Sequence, residues 1–507
     1  MNSREIRRGA LLSYLLIIIN TFYGLFFTPF LISALGDGEY GVYKIMGSLI
    51  GSVTILDFGI GSTVLRYAAK FHADRNQDGL DNFAAMSVME AGGLSLIMTI
   101  VCIGVYFSID KLYSASLSVR ELGKAKELFI LFTVILVINT FEKVLFSLIA
   151  ACEHFAFANM LKLLRVVSKL VLAYLILQQV ADSAMLLKID ILLLVCNMGL
   201  QMLYLRREIG ISIRLKKWDN RLFWGTFRYT ILLFIHSIAV QFNGNLDNMV
   251  IGAVIGASAV TIYSIGLQLY NMYEQFALAF SDLMLPTVSK QIAQGASTRE
   301  LEDTVITIGR LEFMALGGAL CGFAIIGKEF IGLWLGDGYS FAWTVGILLM
   351  IPTTIPLVQN VCLSILRAKN KMLFRTVAVC VMAVFNFIFT VVGVPKYGAI
   401  AAAVGTVIGL VGANIIAMNI YYVKVIGLNI GRIFANVFSR TWICCIIAGV
   451  ALYIADRMIG GTWALWGIKV IIFLAVYAGA LLLWGMRKNE REYFLKVVKL
   501  KGGINSN

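Results

Sequence analysis

The sequence predicts an all-α integral membrane protein of about fourteen transmembrane helices, arranged as two six-helix lobes with two further helices towards the C-terminal end. Three observations carry this. Of 507 residues, 59% are apolar and only 14% are charged, against roughly 25% charged in soluble domains. The apolar residues collect in runs of the roughly 20 residues that a bilayer span requires. Lys and Arg are crowded and sparse by turns in the segments between runs, as the positive-inside rule asks of an even number of spans with both ends in the cytoplasm.

Bounded by charges or Gly/Pro clusters, the runs lie at 10–34, 41–63, 84–108, 126–150, 156–178, 183–204, 222–253, 258–285, 304–334, 341–366, 372–394, 397–422, 433–456 and 463–485. The opening MNSREIRRG resembles the charged start of a signal peptide. The run behind it exceeds an h-region of about 7–15 residues and lacks a small-residue cleavage site, so it reads as a retained first span. With the N-terminus inside, the cytoplasmic segments hold 26 Lys and Arg and the outward segments 7. A missed or spurious span would invert alternate segments and spoil that separation. The net charge of +14 is therefore mainly topological, and nucleic acid is not an expected partner. Pro29, Pro352 and Pro356 are expected to bend the first and tenth spans.

The basic segment 206–221 divides the chain into an N-lobe (1–205) and a C-lobe (222–424), followed by two helices in 425–486 and a basic cytoplasmic tail, 487–507. In that tail the apolar-basic stretch YFLKVVKL suggests an interfacial helix on anionic lipid. LGDGEYGVYKI (35–45) and IGASAVTIYSI (255–265) share Gly36/Gly256, Tyr43/Tyr263 and Ile45/Ile265 at an offset of 220. Both fall at the outward turn between the first two helices of a half. ACEHFAF (151–157) and RAKNKML (367–373) similarly share the turn between the fourth and fifth helices. Halves of the same in/out direction imply parallel repeats about an axis along the membrane normal, with a substrate site between them near midplane.

Three histidines and eight scattered cysteines, two of them the adjacent Cys444 and Cys445, show no metal-ligand spacing, so no metal, cofactor or disulfide framework is expected. No outward segment is long enough for the acidic catalytic cluster of a membrane glycosyltransferase or polymerase, so the chain is not read as an enzyme.

GALLSYLLIIINTFYGLFFTPFLISALGDGEYGVYKI followed by LDFGIGSTVLRYAAKF (56–71), with NLDNMVIGAVIGASAVTIYSIGLQLY (245–270) and LMLPTVSKQIA (283–293) in the second half, resembles the polysaccharide and O-antigen (Wzx-type) flippases. These belong to the multidrug/oligosaccharidyl-lipid/polysaccharide (MOP) exporter superfamily. The resemblance covers essentially the whole chain, including the 6+6+2 arrangement, and its motifs are diffuse. It implies a lipid-linked oligosaccharide, such as a lipopolysaccharide O-antigen repeat unit, carried across a bacterial cytoplasmic membrane by alternating access. Coupling to Na+ or H+ and pathway partners such as a polysaccharide polymerase or glycosyltransferases are implied with it.

A polyprenyl-diphosphate-linked glycan needs fixed cations for its diphosphate and amides, hydroxyls and aromatics for its sugars. Ionisable groups inside a membrane are costly and face a cavity or a partner. On the fifth span Lys162, Arg165 and Lys169 share one face. Lys162 and Arg165 are shallow enough to reach the headgroups, whereas Lys169 lies roughly 20 Å along the helix from its cytoplasmic end. The candidate substrate ligands are Lys143, Arg165, Lys169, Asn243, Asn271, Tyr273 and Gln275. Asp247 and Glu274 are the candidates for sensing a coupling ion, since low dielectric tunes a carboxylate's charge. Asp57, in LDFGIG with Arg66 behind it, reads as a gate or turn constraint. Asn20, Tyr23, Gln359 and Asn360 are further candidate sugar contacts. Two alternatives remain within the superfamily. A MATE-like multidrug/cation antiporter is disfavoured by the two extra helices and by Lys143, Arg165 and Lys169. A lipid II flippase shares fourteen helices and an anionic substrate, and composition does not separate it.

Overall fold

The computed structural model of the protein describes residues 18–226, 245–369 and 371–488, together with 12, 15, 16, 490 and 491; side chains at 279–287 are not described. The stretch 493–500, expected to be an interfacial helix, lies outside these residues. Every regular element among the described residues is helical. Among the described residues ten stretches, the longest Ile18–Ala73, are long and apolar enough to cross a membrane. Phe155–Leu177 is helical as expected but carries three cations, which keeps it out of the ten.

By internal contacts the chain forms two compact units, Met1–Ser264 with Asn386–Ala402, and Ile265–Phe385 with Ala403–Asn507. The first contains α1 (Thr28–Val53), α2 (Ile60–Ala73), α3 (Gln77–Tyr113), α4 (Val119–Ala151), α5 (Phe155–Leu177), α6 (Ser183–Tyr204) and α7 (245–254). α8 (Ala257–Ala293) runs from the first unit into the second, which continues with α9 (Thr298–Leu335), α10 (Ser340–Val358) and α11 (Asn360–Ala368). α12 (Leu373–Tyr397), α13 (Ile400–Leu410), α14 (Ile430–Phe438), α15 (Thr441–Met458) and α16 (Trp463–Ala480) complete the order.

Local chemistry explains the breaks. Pro29 stands in the first turn of α1 and has no N–H to give; the turn before it, Tyr23–Phe27, widens to a π-helix. Within α1, Gly36 adopts φ 76° and ψ 163°, a conformation open essentially to glycine alone, and there the first expected span gives way to the second. Gly256, its counterpart at offset 220, is also left-handed, with φ 123°.

The second span, expected to be continuous over 41–63, is interrupted. A 3-10 turn at Thr54–Asp57 is followed by left-handed Phe58 (φ 53°) and Gly59 (φ 70°) before α2 begins. The tenth span, expected over 341–366, also breaks: α10 ends at Val358, two residues after Pro356, and α11 starts again at Asn360.

In the first unit Ile60, Val64, Leu80, Phe83, Val144 and Leu148 form a core between α2, α3 and α4. In lipid such contacts stabilise by close packing rather than by exclusion of water. The basic segment after α6 is tied to the start of α3: Ser212 N–H donates to Asp81 (3.0 Å), Lys216 and Lys217 N–H donate to Asn82 Oδ1 (2.9 and 3.0 Å), and Lys216 pairs with Asp78.

In the second unit α15 and α16 pack on α9 through Met314, Ile326, Cys444, Ala448, Leu452, Phe473 and Tyr477. Tyr477 donates to the Met314 carbonyl at 2.7 Å. Two buried cations pin the ends of this arrangement. Lys469 Nζ lies 2.8 Å from Glu329 and 2.7 Å from Asp456. Arg310, 1% exposed, donates to Glu490 Oε1 and Oε2, to the Asn436, Ser439 and Gly485 carbonyls, and to Ser439 Oγ, at 2.7 to 3.3 Å. All five guanidinium N–H groups have acceptors.

Candidate functional site

Periodicity places Lys162, Arg165 and Lys169 on one face of α5, and that face borders a cavity of about 410 Å³ in the first unit. Its walls are Leu16, Asn20 and Tyr23 from the first span, Tyr43 from α1, Glu142 from α4, Val166 with the three cations from α5, and Asp190 from α6.

The charges are arranged around Asp190. Arg165 approaches Asp190 Oδ1 with Nη2 at 2.8 Å and Nε at 3.3 Å, and Lys169 Nζ lies 2.8 Å from Oδ2. Lys162, read from sequence as a headgroup-reaching residue, instead lines the cavity with its ammonium 3.5 Å from the centroid of the Phe146 ring, a cation–π contact. Glu142 Oε1 accepts from Gln201 Nε2 at 2.8 Å and Asn197 Nδ2 at 3.4 Å. Three cations and two carboxylates leave one net positive charge, with phenols at Tyr23 and Tyr43 and an amide at Asn20. The set can hold an anion and hydrogen-bond to hydroxyls.

The other expected residues lie elsewhere. Lys143 does not line the cavity; it pairs with Asp57 Oδ2 at 2.5 Å, while Asp57 Oδ1 accepts the Gly59 N–H at 2.8 Å. Asp57 thereby caps the break in the second span, in keeping with the turn constraint expected of it. Asp247 is buried and accepts the Tyr263 hydroxyl at 2.6 Å. Beside it Asn248 donates to Ser48 (3.1 Å) and accepts from Ser264 (3.2 Å). Asn243 lies outside the described residues.

In the second unit, Tyr273 is buried and its hydroxyl meets Thr354 Oγ1 at 2.6 Å. Glu274 is half-buried; Asn271 and Gln275 are exposed. Gln359 and Asn360, at the break after α10, line a smaller pocket with Arg375 and Asn414. Its free volume of about 20 Å³ accommodates about one water.

Sequence reasoning missed Asp190, Glu142 and Tyr43 as cavity residues. An acid within the apolar run MLLKIDILLL was a signal in itself, because an intramembrane carboxylate is expensive unless it has a function or a partner.

The profile of the family described as polysaccharide biosynthesis protein matches residues 6–292, more than half of the chain. The chain belongs to the polysaccharide biosynthesis protein family. No curated protein sequence matches it significantly. Solved structures of similar fold include the lipid II flippase MurJ in an inward closed conformation, with TM-score 0.73, 14% identity, and 93% of this chain and 97% of that one covered. An inward-facing multidrug resistance MATE family transporter of the MOP superfamily gives TM-score 0.66 at 15% identity, covering 82% and 94%. A MOP superfamily transporter from Pyrococcus furiosus, described as having a binding pocket of reverse polarity, gives 0.58 at 15%, covering 85% and 96%. At these identities the likeness concerns the fold. This member of the polysaccharide biosynthesis family is thus a multi-pass membrane protein with a fold like that of MOP superfamily transporters.

Proposed function

We propose that the protein flips a polyprenyl-diphosphate-linked oligosaccharide, a polysaccharide or O-antigen repeat unit, from the cytoplasmic to the outer leaflet of the bacterial cytoplasmic membrane. The observation that carries this reading is the cavity where Lys162, Arg165 and Lys169 converge with Asn20, Tyr23 and Tyr43. Cations suit a diphosphate, and phenols and amides suit sugars. The reading includes lobes at 1–205 and 222–424 that alternate access, the two helices of 425–486 as an addition, and both termini in the cytoplasm, as the Lys/Arg bias supports. Coupling to Na+ or H+ through Asp247 and Glu274 belongs to the same proposal, as do Asn243, Asn271, Tyr273, Gln275 and Lys143 as contributors on the substrate's path.

The test is flipping of a fluorescent polyprenyl-diphosphate-linked glycan in proteoliposomes. Transport that falls by at least about tenfold in Arg165→Met and Lys169→Met supports the reading. Transport indifferent to both variants sinks it. In the same vesicles, unchanged dependence of Asp247→Asn on the ion gradient removes the coupling role. The fold likeness to MurJ over 93% of this chain favours lipid II as a second reading, distinguished by supplying lipid II in place of the glycan-bearing lipid.

A further inference from the structure

We propose that Asp190 is an internal counter-ion that competes with the substrate's anionic group for Arg165 and Lys169, reducing the excess positive charge of the empty cavity and limiting how tightly the anion is held. This rests on the reading of the cavity as a site for a phosphorylated head.

Asp190 makes the contacts that an incoming phosphate oxygen would make. One carboxylate oxygen takes Arg165 Nη2 and Nε, and the other takes Lys169 Nζ at 2.8 Å. The donors it uses are those that α5 turns towards the cavity. Without Asp190, Arg165 and Lys169 would lose the acid they contact, and Glu142, whose Oε1 accepts from Gln201 and Asn197, would be the one acid left on the wall beside three cations. Unpaired charge of that kind is costly inside a membrane.

A diphosphate entering the cavity supplies its own oxygens to Arg165 and Lys169 and places like charge beside Asp190. The Asp190 contacts must then lengthen, and the loss of those two ion pairs is subtracted from the gain on binding. A carrier needs that subtraction, since a site must hold its cargo strongly enough to load it and weakly enough to let it go. Lys162, whose contact in the cavity is a ring face, is the cation the anion reaches without displacing an acid.

The experiment measures binding of inorganic pyrophosphate to the purified full chain in nanodiscs, alongside flipping of the lipid-linked glycan. Asp190→Asn is expected to bind pyrophosphate at least about tenfold tighter than the original chain and to flip more slowly, because release becomes limiting. Asp190→Glu, which keeps the charge, is expected to stay within about threefold in affinity. Folded Asp190→Asn with equal or weaker affinity overturns the inference and makes Asp190 a scaffold for its two cations. If Asp190→Asn does not fold, the charge-balanced pair Arg165→Gln/Asp190→Asn is compared with Arg165→Gln. Tighter binding in the double variant supports competition; equal or weaker binding overturns it. Absence of pyrophosphate binding in every variant and in the original chain instead overturns the phosphate reading of the cavity, and the competitor role with it.

Discussion

Asp57 and Lys143 form an ion pair at 2.5 Å between the break of the second span and α4, and the same carboxylate caps the Gly59 N–H. One acid thus holds both a turn and a helix-to-helix contact. Lys143 is 43% exposed at its side chain, so the pair itself contributes only about 1 kcal/mol. Its importance lies in fixing the left-handed Phe58–Gly59 step. Lys143→Met is expected to slow flipping severalfold while leaving pyrophosphate affinity within about twofold, because the ammonium is outside the cavity. Parallel binding and transport measurements check this, and a large loss of affinity would return Lys143 to the anion site.

Arg310 tests a different kind of buried cation. Its five N–H groups reach acceptors on the α14–α15 junction, the end of the last span and Glu490. A lysine offers three donors from a single point and cannot reproduce the fork. Arg310→Lys is expected to cost about 3 kcal/mol. Hydrogen exchange over 430–485 is expected to rise in that variant while exchange over the first unit stays unchanged.

Glu490 adds a pH dependence to the same cluster. Burial alone would raise its pKa, but hydrogen bonds from Arg310 and the Arg487 N–H, with both positive charges, outweigh burial and hold it below the ordinary carboxylate range. A carboxyl depressed on folding stabilises above its unfolded pKa, and that contribution is lost as pH falls through the folded value. The stability advantage of the original chain over Glu490→Gln is therefore expected to be full at pH 7. It is expected to shrink from about pH 4 downward, read as convergence of their thermal unfolding temperatures.

These clusters also mark what a linear sequence reveals. Arg165 and Lys169 were legible because a helix turns positions four apart to the same side, and membrane helicity follows from composition and run length. The partner of both, Asp190, sits on another helix 21 residues beyond Lys169, and periodicity says nothing about which faces of two helices meet. For the same reason Arg310 and Lys469 were invisible as clamps: their acceptors lie up to 180 residues away. Tyr273 reads from sequence as a candidate substrate ligand, and the hydroxyl partner it has across the helices, Thr354, lies 81 residues further on. The breaks after Asp57 and Val358 were legible only in part, from Asp57 as a gate or turn constraint and from Pro352 and Pro356 as bends, because an apolar run shows where a helix could be and not where the backbone must turn.

The glycine pair at offset 220 gives a final prediction. Gly36 adopts φ 76° and ψ 163° and an added Cβ would meet nothing within 4 Å, so Gly36→Ala tests backbone conformation without a packing clash. That region is closed to residues bearing a Cβ at a cost of about 1–3 kcal/mol. Gly256 combines φ 123° with the Ser116 carbonyl 3.0 Å from where its Cβ would stand, so Gly256→Ala adds a contact penalty and is expected to be the more harmful of the two. Gly104, inside α3 with open space around its missing Cβ, is the control. Gly104→Ala is expected to be neutral or to stabilise by up to about 1 kcal/mol, since alanine loses less freedom in a helix. Thermal unfolding of the three variants checks the order, and a Gly36→Ala protein as stable as Gly104→Ala would show that the first turn does not need its left-handed residue.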